Sequence, residues 1–319
     1  MNENSDVFFS EEKNPTISVI MCIYKEKLLW IKQAIYSVMN QSFKDFELII
    51  VVDNPDVSEN VKEYLNFISK SKKIVILFNE KNIGLAMSLN KGLSRARGEY
   101  IARMDSDDIS SHNRFMYELE YLNERKLDVV SCGMIKIDEN GREIEREKTR
   151  VKEPRKFLPV ASCLVHSGIM ARKKVYEELN GYRDFKNSED YDLWLRIVTD
   201  SDFTIGNIDK YLIKYRIVNE GQSRAKFEEQ FYLSEYIRQL YKERKRTGKD
   251  SFSIDNYNDF LKNNIGQQDV KQSMLCLEKG IKALREVNVR AFLYFLNAYC
   301  CSERYMKYRL RSFLASFIC

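Results

Sequence analysis

Histidine is scarce in this sequence, because only His112 and His166 occur among 319 residues. A zinc site built from several histidines is therefore excluded, and any histidine-centred catalytic triad would have to use one of these two. The seven cysteines are odd in number and include no C-x-x-C pair. This usage disfavours a disulfide framework and predicts a reduced, cytoplasmic chain.

Proline, glycine and long apolar runs are scarce too. Four prolines and 12 glycines exclude collagen-like and low-complexity classes. The apolar run at residues 48–52 is five residues long, far short of the roughly 18 needed to cross a bilayer. Nothing near Met1 combines a basic head with an apolar stretch, so no secretory signal is expected. With 44% hydrophobic and 31% charged residues, the composition is that of a globular protein.

The charge balance is only mildly basic. The chain has 52 Lys and Arg against 47 Asp and Glu, a formal net charge of +5. Basic residues are interleaved with acidic ones and do not form the stripe typical of nucleic-acid-binding modules. We therefore expect no nucleic-acid partner.

Strand and helix patterns alternate along the first part of the chain. Apolar, β-branched runs predict strands, and apolar residues at helical spacing predict the helices between them. The predicted strands are residues 16–24, 46–53, 73–78 and 100–104, and the predicted helices are residues 28–40, 57–69, 84–96 and 111–125. This order implies right-handed βαβ units and an α/β fold, with a Rossmann-like, mostly parallel sheet covered by helices.

Later segments complete this domain and begin a second region. Further strands are predicted at residues 129–137, 168–171, 203–208 and 211–218, and helices at residues 173–180 and 189–198. From about residue 226 only helical spacing is found, with candidate helices at residues 227–246, 255–262, 269–286 and 289–299. We therefore divide the chain into a first domain, residues 1–224, and a helical C-terminal region, residues 225–319.

An acidic loop, Asp105-Ser106-Asp107-Asp108, follows the predicted strand at residues 100–104. Clustered carboxylates repel one another, and hard divalent ions such as Mg²⁺ and Mn²⁺ prefer oxygen ligands. The alternative is a solvated turn before the next helix. The position beyond a buried strand favours the metal site, because ligands of such sheets bind at the carboxyl ends of the strands.

Two other strand ends carry polar side chains that we expect at the same rim. Tyr24 follows the first strand and Asp53 ends the second. The Asp53 carboxylate can accept a hydrogen bond from a ribose hydroxyl or a base N–H, although Asp-Asn-Pro is also ordinary turn chemistry. The turn from Asn82 to Gly84 opens a helix whose free N–H groups can meet a phosphate, with a simple helix entry as the alternative. Arg103 is a candidate partner of a diphosphate.

A second acidic pair, Glu189-Asp190, opens a later helix. With Asn187 as the predicted N-cap, Asp190 falls at the third helical position, where its carboxylate faces the positive end of the helix. The pair is either a capping box or a general base held in its ionised form, and both can hold at once. His166 is a candidate site residue or a histidine at the edge of the core.

The last twenty residues are basic and apolar together. Over residues 300–319, four Lys and Arg stand against one Glu, among several Leu, Phe and Ile. This composition is typical of a segment lying on an anionic membrane surface. It is equally typical of a helix packed on the first domain with a solvated basic side.

Three ordered motifs resemble family 2 glycosyltransferases of GT-A fold. Residues 17–56 (ISVIMCIYKEKLLWIKQAIYSVMNQSFKDFELIIVVDNPD) resemble the start of that family, and residues 82–108 (NIGLAMSLNKGLSRARGEYIARMDSDD) resemble its helix leading to a DxD motif. Residues 188–196 (SEDYDLWLR) are similar to its ED motif. The resemblance spans about two thirds of the chain. It implies an inverting, hexosyltransferase-type enzyme of bacterial surface-polysaccharide synthesis.

The resemblance also implies partners and residue roles. It implies a nucleotide-sugar donor, a UDP-sugar, and the hydroxyl of a glycan or lipid-linked acceptor in capsule, O-antigen or exopolysaccharide synthesis. Work at the inner face of the cell membrane through peripheral contact is expected. The implied roles are Asp53 at the base, Asp105 at the ribose, Asp107 on Mn²⁺ or Mg²⁺, Asp190 as catalytic base, Tyr24 and Glu26 flanking the nucleotide, and Glu189 and His166 on the acceptor side.

The sequence departs from this family at several places. Cys22 and Lys25 stand where the family often has Pro and Asn, and a single Asp53 stands where it has Asp-Asp. Residues 215–223 (YRIVNEGQS) lack the histidine of the related segment, so Arg216 or Gln222 is the expected substitute in any metal or diphosphate contact.

Two alternatives to a glycosyltransferase stay open on the sequence. A sugar-phosphate nucleotidyltransferase also uses acidic metal sites, but it requires a glycine-rich, lysine-bearing loop after the first strand, and residues 23–27 contain no glycine. A catalytically inactive nucleotide-sugar-binding protein is the other alternative.

Overall fold

A computed structural model describes residues 14–148, 151–186, 188–218, 220–265, 269–286 and 290–318. Within these residues nine strands form one mixed sheet. The strands are β1 (Ile17–Ile23), β2 (Phe46–Val52), β3 (Ile74–Phe78), β4 (Tyr100–Asp105), β5 (Ile109–Ser110), β6 (Val129–Ile137), β7 (Glu143–Glu147), β8 (Met170–Arg172) and β9 (Ile205–Arg216). The helices are α1 (Leu28–Met39), α2 (Glu59–Ile68), α3 (Leu85–Leu93), α4 (Arg114–Glu124), α5 (Pro154–Phe157), α6 (Lys173–Glu178), α7 (Glu189–Asp200), α8 (Glu220–Thr247), α9 (Ile254–Asn264), α10 (Val270–Arg285), α11 (Ala291–Cys301) and α12 (Glu303–Ile318).

The strand order places the ends of the first strands at one rim. The order is β3-β2-β1-β4-β8-β6-β9-β5, with β7 paired to β6. Strands β3, β2, β1 and β4 are parallel, and β8 pairs antiparallel with both β4 and β6. In register, Ile23 lies opposite Val52 and Cys22 lies opposite Asp105. The predicted α/β fold with a mostly parallel sheet and flanking helices is confirmed.

The central strands are apolar throughout because both of their faces are buried. Every residue of β2 is buried. Alternate residues enter opposite cores, since Leu48 and Ile50 belong to one apolar cluster and Ile49 and Val51 belong to the other. Successive side chains of a strand point to opposite faces, so a two-faced core requires an unbroken apolar run.

A buried ion pair fixes the end of β4, just before the acidic loop. Arg114 and Glu118 are both fully buried and lie 2.9 Å apart between Nε and Oε1. The second guanidinium nitrogen of Arg114 donates to the carbonyl oxygens of Arg103 at 3.0 Å and Ile169 at 3.1 Å. One side chain of α4 therefore joins β4 to the segment entering β8.

The structure differs from the sequence prediction at two element boundaries. The two strands predicted over residues 203–218 form the single strand β9, whose register against β6 shifts at Gly133. Ser188 is the N-cap of α7, and the predicted cap, Asn187, lies outside the described residues. Asp190 is therefore the second helical residue and not the third.

The residues after β9 are helical, as their spacing predicts. Helix α8 packs against α7. A small core of Phe231, Tyr232, Val270, Met274 and Tyr305 joins α8 to α10 and α12. In the part of the chain that the structure describes, no helix has the length and apolar character needed to span a bilayer.

Candidate active site

Asp53 directly follows β2, and its carboxylate accepts hydrogen bonds from the turn before α3. Its Oδ1 accepts from Nδ2 of Asn79 at 2.8 Å and from the backbone N–H of Ile83 at 2.9 Å. Its Oδ2 accepts the backbone N–H of Gly84 at 2.9 Å, which also points to Oδ1 of Asn82 at 3.0 Å. The N–H groups of Ile83 and Gly84 are therefore held by Asp53. The predicted phosphate contact falls to the N–H groups of α3 that follow them, and it stays a prediction.

Tyr24 and Glu26 lie in the loop between β1 and α1. The backbone N–H of Tyr24 donates to Oε2 of Glu26 at 2.7 Å, and Nδ2 of Asn54 donates to the carbonyl of Tyr24 at 2.8 Å. The ring of Tyr24 is exposed, with Nζ of Lys25 4.8 Å from its centroid. Burial raises the pKa of Glu26, and the charge of Asp105 raises it further. This loop therefore brings the carboxylate of Glu26 to the rim.

The acidic loop after β4 concentrates three carboxylates. Oxygens of Asp105, Asp107 and Asp108 lie within 4.8 Å of one another. Burial, and then the charges of Asp105 and Glu26, raise the pKa of Asp107 to about 7. Asp108 is fully buried, and burial followed by the charges of its two neighbours raises its pKa well above the ordinary value. Such an oxygen-rich, like-charged set suits a hard divalent cation.

Arg216, the last residue of β9, holds this loop through backbone contacts. Its own N–H donates to Oδ1 of Asp108, and its Nε donates to the carbonyl of Asp107, both at 2.8 Å. One guanidinium nitrogen donates to the carbonyls of Asp138 and Glu139, at 3.1 Å each. The buried side chain of Arg216 therefore positions the loop, and the expectation that it replaces a metal- or diphosphate-contacting histidine is not supported. The side chain of Gln222, the other expected substitute, lies outside the described residues.

Arg103 supplies positive charge beneath the rim. Its side chain is 4% exposed and pairs with the carboxylate of Asp105. The sequence predicts a diphosphate as its partner, whereas the structure pairs it with Asp105. Burial lowers the pKa of His166 well below its ordinary value, and the charge of Arg103 lowers it further. His166 is therefore neutral at physiological pH.

Glu189 and Asp190 begin α7, across the cleft from the acidic loop. Nδ1 of His166 lies 3.8 Å from Oε1 of Glu189, and its Nε2 lies 3.1 Å from the hydroxyl of Tyr182. Burial, and then the charge of Asp190, raise the pKa of Glu189 to about 8. Asp190 is half-buried, and its Oδ1 accepts the N–H of Tyr191 at 2.7 Å.

The pKa of Asp190 shifts in the direction opposite to the one that the helix terminus alone predicts. Burial raises the pKa of Asp190, although the N–H of Tyr191 and the charge of Arg103 act in the opposite direction. The helix terminus, which favours the ionised carboxylate, therefore has a smaller effect on the pKa than burial has. Desolvation favours the neutral acid wherever it outweighs nearby dipoles and charges.

Two adjoining cavities are lined by all of the predicted site residues except Asp107. The smaller, about 690 Å³, is lined by Tyr24, Glu26, Asp53, Asn82 and Gly84. The larger, about 980 Å³, is lined by Arg103, His166, Glu189 and Asp190. Asp105 and Leu85 line both cavities, so the acidic loop stands where they meet.

The sequence reasoning missed one wall of the larger cavity. The β6–β7 hairpin and the segment after it contribute charged side chains of both signs, Lys136, Glu145, Arg146, Glu147 and Lys148. Lys136 forms ion pairs with Glu145 at 3.0 Å and with Glu147 at 2.6 Å. The alternating charges of this segment are the only sequence signal, and they are typical of any exposed hairpin.

The fold and the acidic cleft together define an enzyme class, the glycosyltransferases of GT-A fold that the sequence motifs predict. The model of glycosyl transferase family 2 matches residues 18–179. The chain belongs to this family and is a glycosyltransferase. Family membership and the glycine-free loop after β1 both count against the nucleotidyltransferase alternative.

Curated relatives extend the match beyond the family model. An uncharacterized glycosyltransferase of Methanocaldococcus jannaschii is 36% identical over 233 residues, 71% of this chain and 79% of the relative. The O-antigen biosynthesis glycosyltransferase WbnJ of Escherichia coli is 33% identical over 231 residues, 72% of this chain and 90% of the relative. The amylovoran biosynthesis glycosyltransferase AmsE of Erwinia amylovora is 32% identical over 224 residues, 67% of this chain and 84% of the relative.

The fold also matches a solved structure. TarS residues 1–349 of S. aureus, in complex with UDP, align with a TM-score of 0.58 and 16% identity, covering 92% of this chain and 91% of that one. At this identity the match supports the fold alone. It reaches past β9 into the C-terminal helices, because it covers more than the first domain.

The raised pKa of Glu189 leads to a testable pH dependence of stability. Its carboxyl binds a proton more tightly in the folded chain (about 8) than at its ordinary value of 4.5. The contribution of this group to the free energy of unfolding is therefore full below about pH 4.5 and is lost as pH rises through 8. We expect Glu189→Gln to be more stable than the wild type at pH 9 by about 1 kcal/mol or more, since one pKa unit corresponds to about 1.4 kcal/mol.

Urea unfolding in EDTA at pH 6 and pH 9 measures this difference. Glu178→Gln, a change at an exposed glutamate of α6, serves as the matched control and should leave the pH dependence as in the wild type. Equal pH dependence in the wild type and in Glu189→Gln would show that Glu189 is ionised in the folded protein.

Proposed function

We propose that this glycosyltransferase is metal-dependent and inverting, and transfers a sugar from a UDP-sugar to a hydroxyl of a glycan or lipid-linked acceptor. The acceptor belongs to surface-polysaccharide synthesis, of capsule, O-antigen or exopolysaccharide. The relatives named for O-antigen and amylovoran biosynthesis support this assignment, and the UDP complex of the structurally similar TarS supports the donor. The single observation that carries the proposal is the acidic loop standing between two cavities.

The smaller cavity suits the nucleotide. Three of the roughly four acceptor positions of the Asp53 carboxylate are used by the chain itself, which leaves one for an N–H of a base. Asp105 stands between the cavities, where a ribose hydroxyl can reach it. Tyr24 presents an exposed ring at the mouth of the same cavity, suited to packing against a flat base.

The acidic loop fits the divalent cation that the family resemblance implies. Burial, and then the charges of Asp105 and Glu26, make Asp107 bind a proton near neutral pH. Oδ2 of the buried Asp108 accepts no hydrogen bond of normal geometry among the described residues. Asp107, with Asp105 beside it, would hold Mn²⁺ or Mg²⁺. The ion would supply charge neutralisation for the diphosphate leaving group.

The metal assignment predicts a specific loss in Asp107→Asn. Removing one carboxylate from the set should raise the Mn²⁺ concentration for half-maximal activity at least about tenfold, because hard cations depend on charged oxygen ligands. Mn²⁺ binding measured by electron paramagnetic resonance in the presence of UDP should weaken in parallel. Asp56→Asn, at an exposed aspartate after β2, should bind Mn²⁺ as the wild type does. Undiminished transfer in EDTA would contradict metal dependence.

Asp190 is the proposed catalytic base. An oxygen of the acceptor hydroxyl attacks the anomeric carbon, the bond from that carbon to the diphosphate breaks, and the hydroxyl proton passes to Asp190. Attack opposite the leaving group inverts the anomeric configuration. Asp190 is half-buried and borders the larger cavity, whereas Glu189 is 3% exposed and binds a proton near neutral pH. Glu189 and the neutral His166 therefore shape the acceptor side.

Asp190→Asn tests this role. General-base help is typically worth about 10²–10⁴-fold, so kcat should fall by that factor while the Kd for UDP stays unchanged. Asp200→Asn, at the other end of α7, is the matched control and should keep wild-type kcat. Transfer by Asp190→Asn at the wild-type rate would remove the residue from the mechanism, and absence of transfer by the wild type would favour an inactive binding protein.

Peripheral membrane contact is proposed through α12 and the helices beside it. Large apolar side chains are exposed there, among them Phe292, Leu310, Phe313 and Leu314. Residues 269–319 carry nine Lys and Arg against four Asp and Glu, a net +5 that equals the charge of the whole chain. Exposed Phe and Leu interleaved with basic residues match the chemistry of an anionic bilayer surface.

Phe313→Ser combined with Leu314→Ser tests the membrane contact without unfolding the region. Deleting α12 is a poor test, because Tyr305 is 1% exposed and belongs to the core with Phe231. The double variant should lose most sedimentation with phosphatidylglycerol-containing vesicles. Tyr36→Ser combined with Phe67→Ser, at exposed positions of α1 and α2, should sediment like the wild type. Equal sedimentation of both double variants would place the contact elsewhere.

A further inference from the structure

A further polar cavity, separate from the two described above, lies between the first domain and the C-terminal helices. This basic groove has a volume of about 470 Å³. Its lining residues come from the loop after α5 and from α8, α9 and α12, and they include Pro159, Val160, Glu235, Arg238, Lys242, Phe260, Arg304, Tyr308 and Arg311. Arg238, Lys242, Arg304 and Arg311 face one carboxylate, that of Glu235. The groove therefore has an excess of positive charge and suits an anionic ligand.

Arg238 is the anchored cation of the basic groove. Its guanidinium, in a side chain 11% exposed, lies 4.9 Å from the ring centroid of Tyr308 and 3.1 Å from Oε1 of Glu235. It also donates to the carbonyl of Val160 at 3.5 Å. A planar guanidinium held on an aromatic face is well suited to phosphate recognition.

Two elements connect the basic groove to the acceptor-side cavity. The segment after α5 lines both, because Ser162 and Val165 border the larger cavity while Pro159 and Val160 border the groove. Along α8, Gln230 borders the cavity and Arg238 borders the groove, eight residues or about 12 Å further on. A short saccharide can span this distance. Tyr191, which follows Asp190 directly, contacts Arg238 itself.

The outer side of the groove is apolar. Leu310 and Leu314 flank Arg311 on α12 and are 58% and 52% exposed. Phosphate-binding cations beside exposed leucines match an amphiphile, with an anionic head and a hydrocarbon tail. A free phosphate or a soluble nucleotide has no hydrocarbon chain that could contact this apolar border.

We propose that the basic groove binds the diphosphate of a lipid-linked acceptor, whose terminal sugar then reaches Asp190 in the adjoining cavity. This inference rests on the proposed function and specifies its acceptor class. The exposed cations, Arg304 and Arg311, complete the site around Arg238, and the leucines of α12 receive the start of the lipid chain.

Titration calorimetry of the full chain with farnesyl diphosphate tests the groove. The titration is done in EDTA, where the acidic loop repels a diphosphate. Arg304→Ala combined with Arg311→Ala should weaken binding at least about tenfold, because two charge-assisted contacts are lost. Lys279→Ala combined with Lys282→Ala, exposed on α10 and outside the groove, removes the same charge and should bind as the wild type does. Arg304→Lys combined with Arg311→Lys should retain most of the binding.

Three results would overturn the proposal. Equal affinity of the wild type and the Arg304→Ala/Arg311→Ala variant would place the lipid diphosphate elsewhere. Equal affinity for inorganic diphosphate and farnesyl diphosphate would make the groove a free-phosphate site. Binding of phosphatidylglycerol vesicles without binding of farnesyl diphosphate would make it a general bilayer surface.

Catalysis is followed in parallel, so that the two proposals fail separately. Metal-dependent hydrolysis of UDP-sugars, which needs no acceptor, should be the same in the wild type and in the Lys279→Ala/Lys282→Ala variant, whose changed residues border neither the basic groove nor the two cavities of the active site. Absence of hydrolysis in both proteins would contradict the proposed function, whatever the calorimetry finds. Normal hydrolysis in both, with farnesyl diphosphate binding unchanged in the Arg304→Ala/Arg311→Ala variant, would contradict the groove alone.

Discussion

The cleft depends on an excess of negative charge that the fold concentrates and only partly neutralises. Carboxylates arrive from the loop after β1, the loop after β4 and the start of α7. The buried Arg103, which pairs with Asp105, partly neutralises these carboxylates. Burial, and then this imbalance of charge, raise the pKa of Asp107 to about 7 and that of Glu189 to about 8. This imbalance supports the proposed cation at the loop and the proposed substrate hydroxyl at α7.

Much of this arrangement is predictable, since parallel strands end together. The apolar runs of β1, β2 and β4 define the sheet, and whatever polar residue follows each run must emerge at one rim. The sequence alone therefore suffices to place Asp53 and Asp105 at the same edge. It does not suffice for the pair at the start of α7, because the position of that pair across the cleft depends on the path of residues 109–188, and only the family resemblance connected it to the site.

What sequence reasoning could not reach depends on tertiary contacts without a local pattern. The Arg216 guanidinium donates to backbone carbonyls, which any sequence provides, so no sequence motif indicates these contacts. The wall formed by the β6–β7 hairpin carries ordinary surface charges. The upward shift in the pKa of Asp190 was not predicted, because the helix terminus is visible in the sequence whereas the burial of the carboxylate is not. The groove around Arg238 combines residues from four separate elements.

The hold of Arg216 on the acidic loop has an evolutionary consequence. Its guanidinium donates to the main-chain carbonyls of Asp107, Asp138 and Glu139, and to the side-chain oxygen of Gln33 at 2.9 Å. Side chains of the hairpin that walls the larger cavity can therefore change while the acidic loop stays in place, and under the proposed function such changes would alter the sugar that is recognised. A change in hairpin length before Arg142 would move the anchoring carbonyls themselves. Diversification of such enzymes should therefore proceed by substitution in this turn and seldom by insertion.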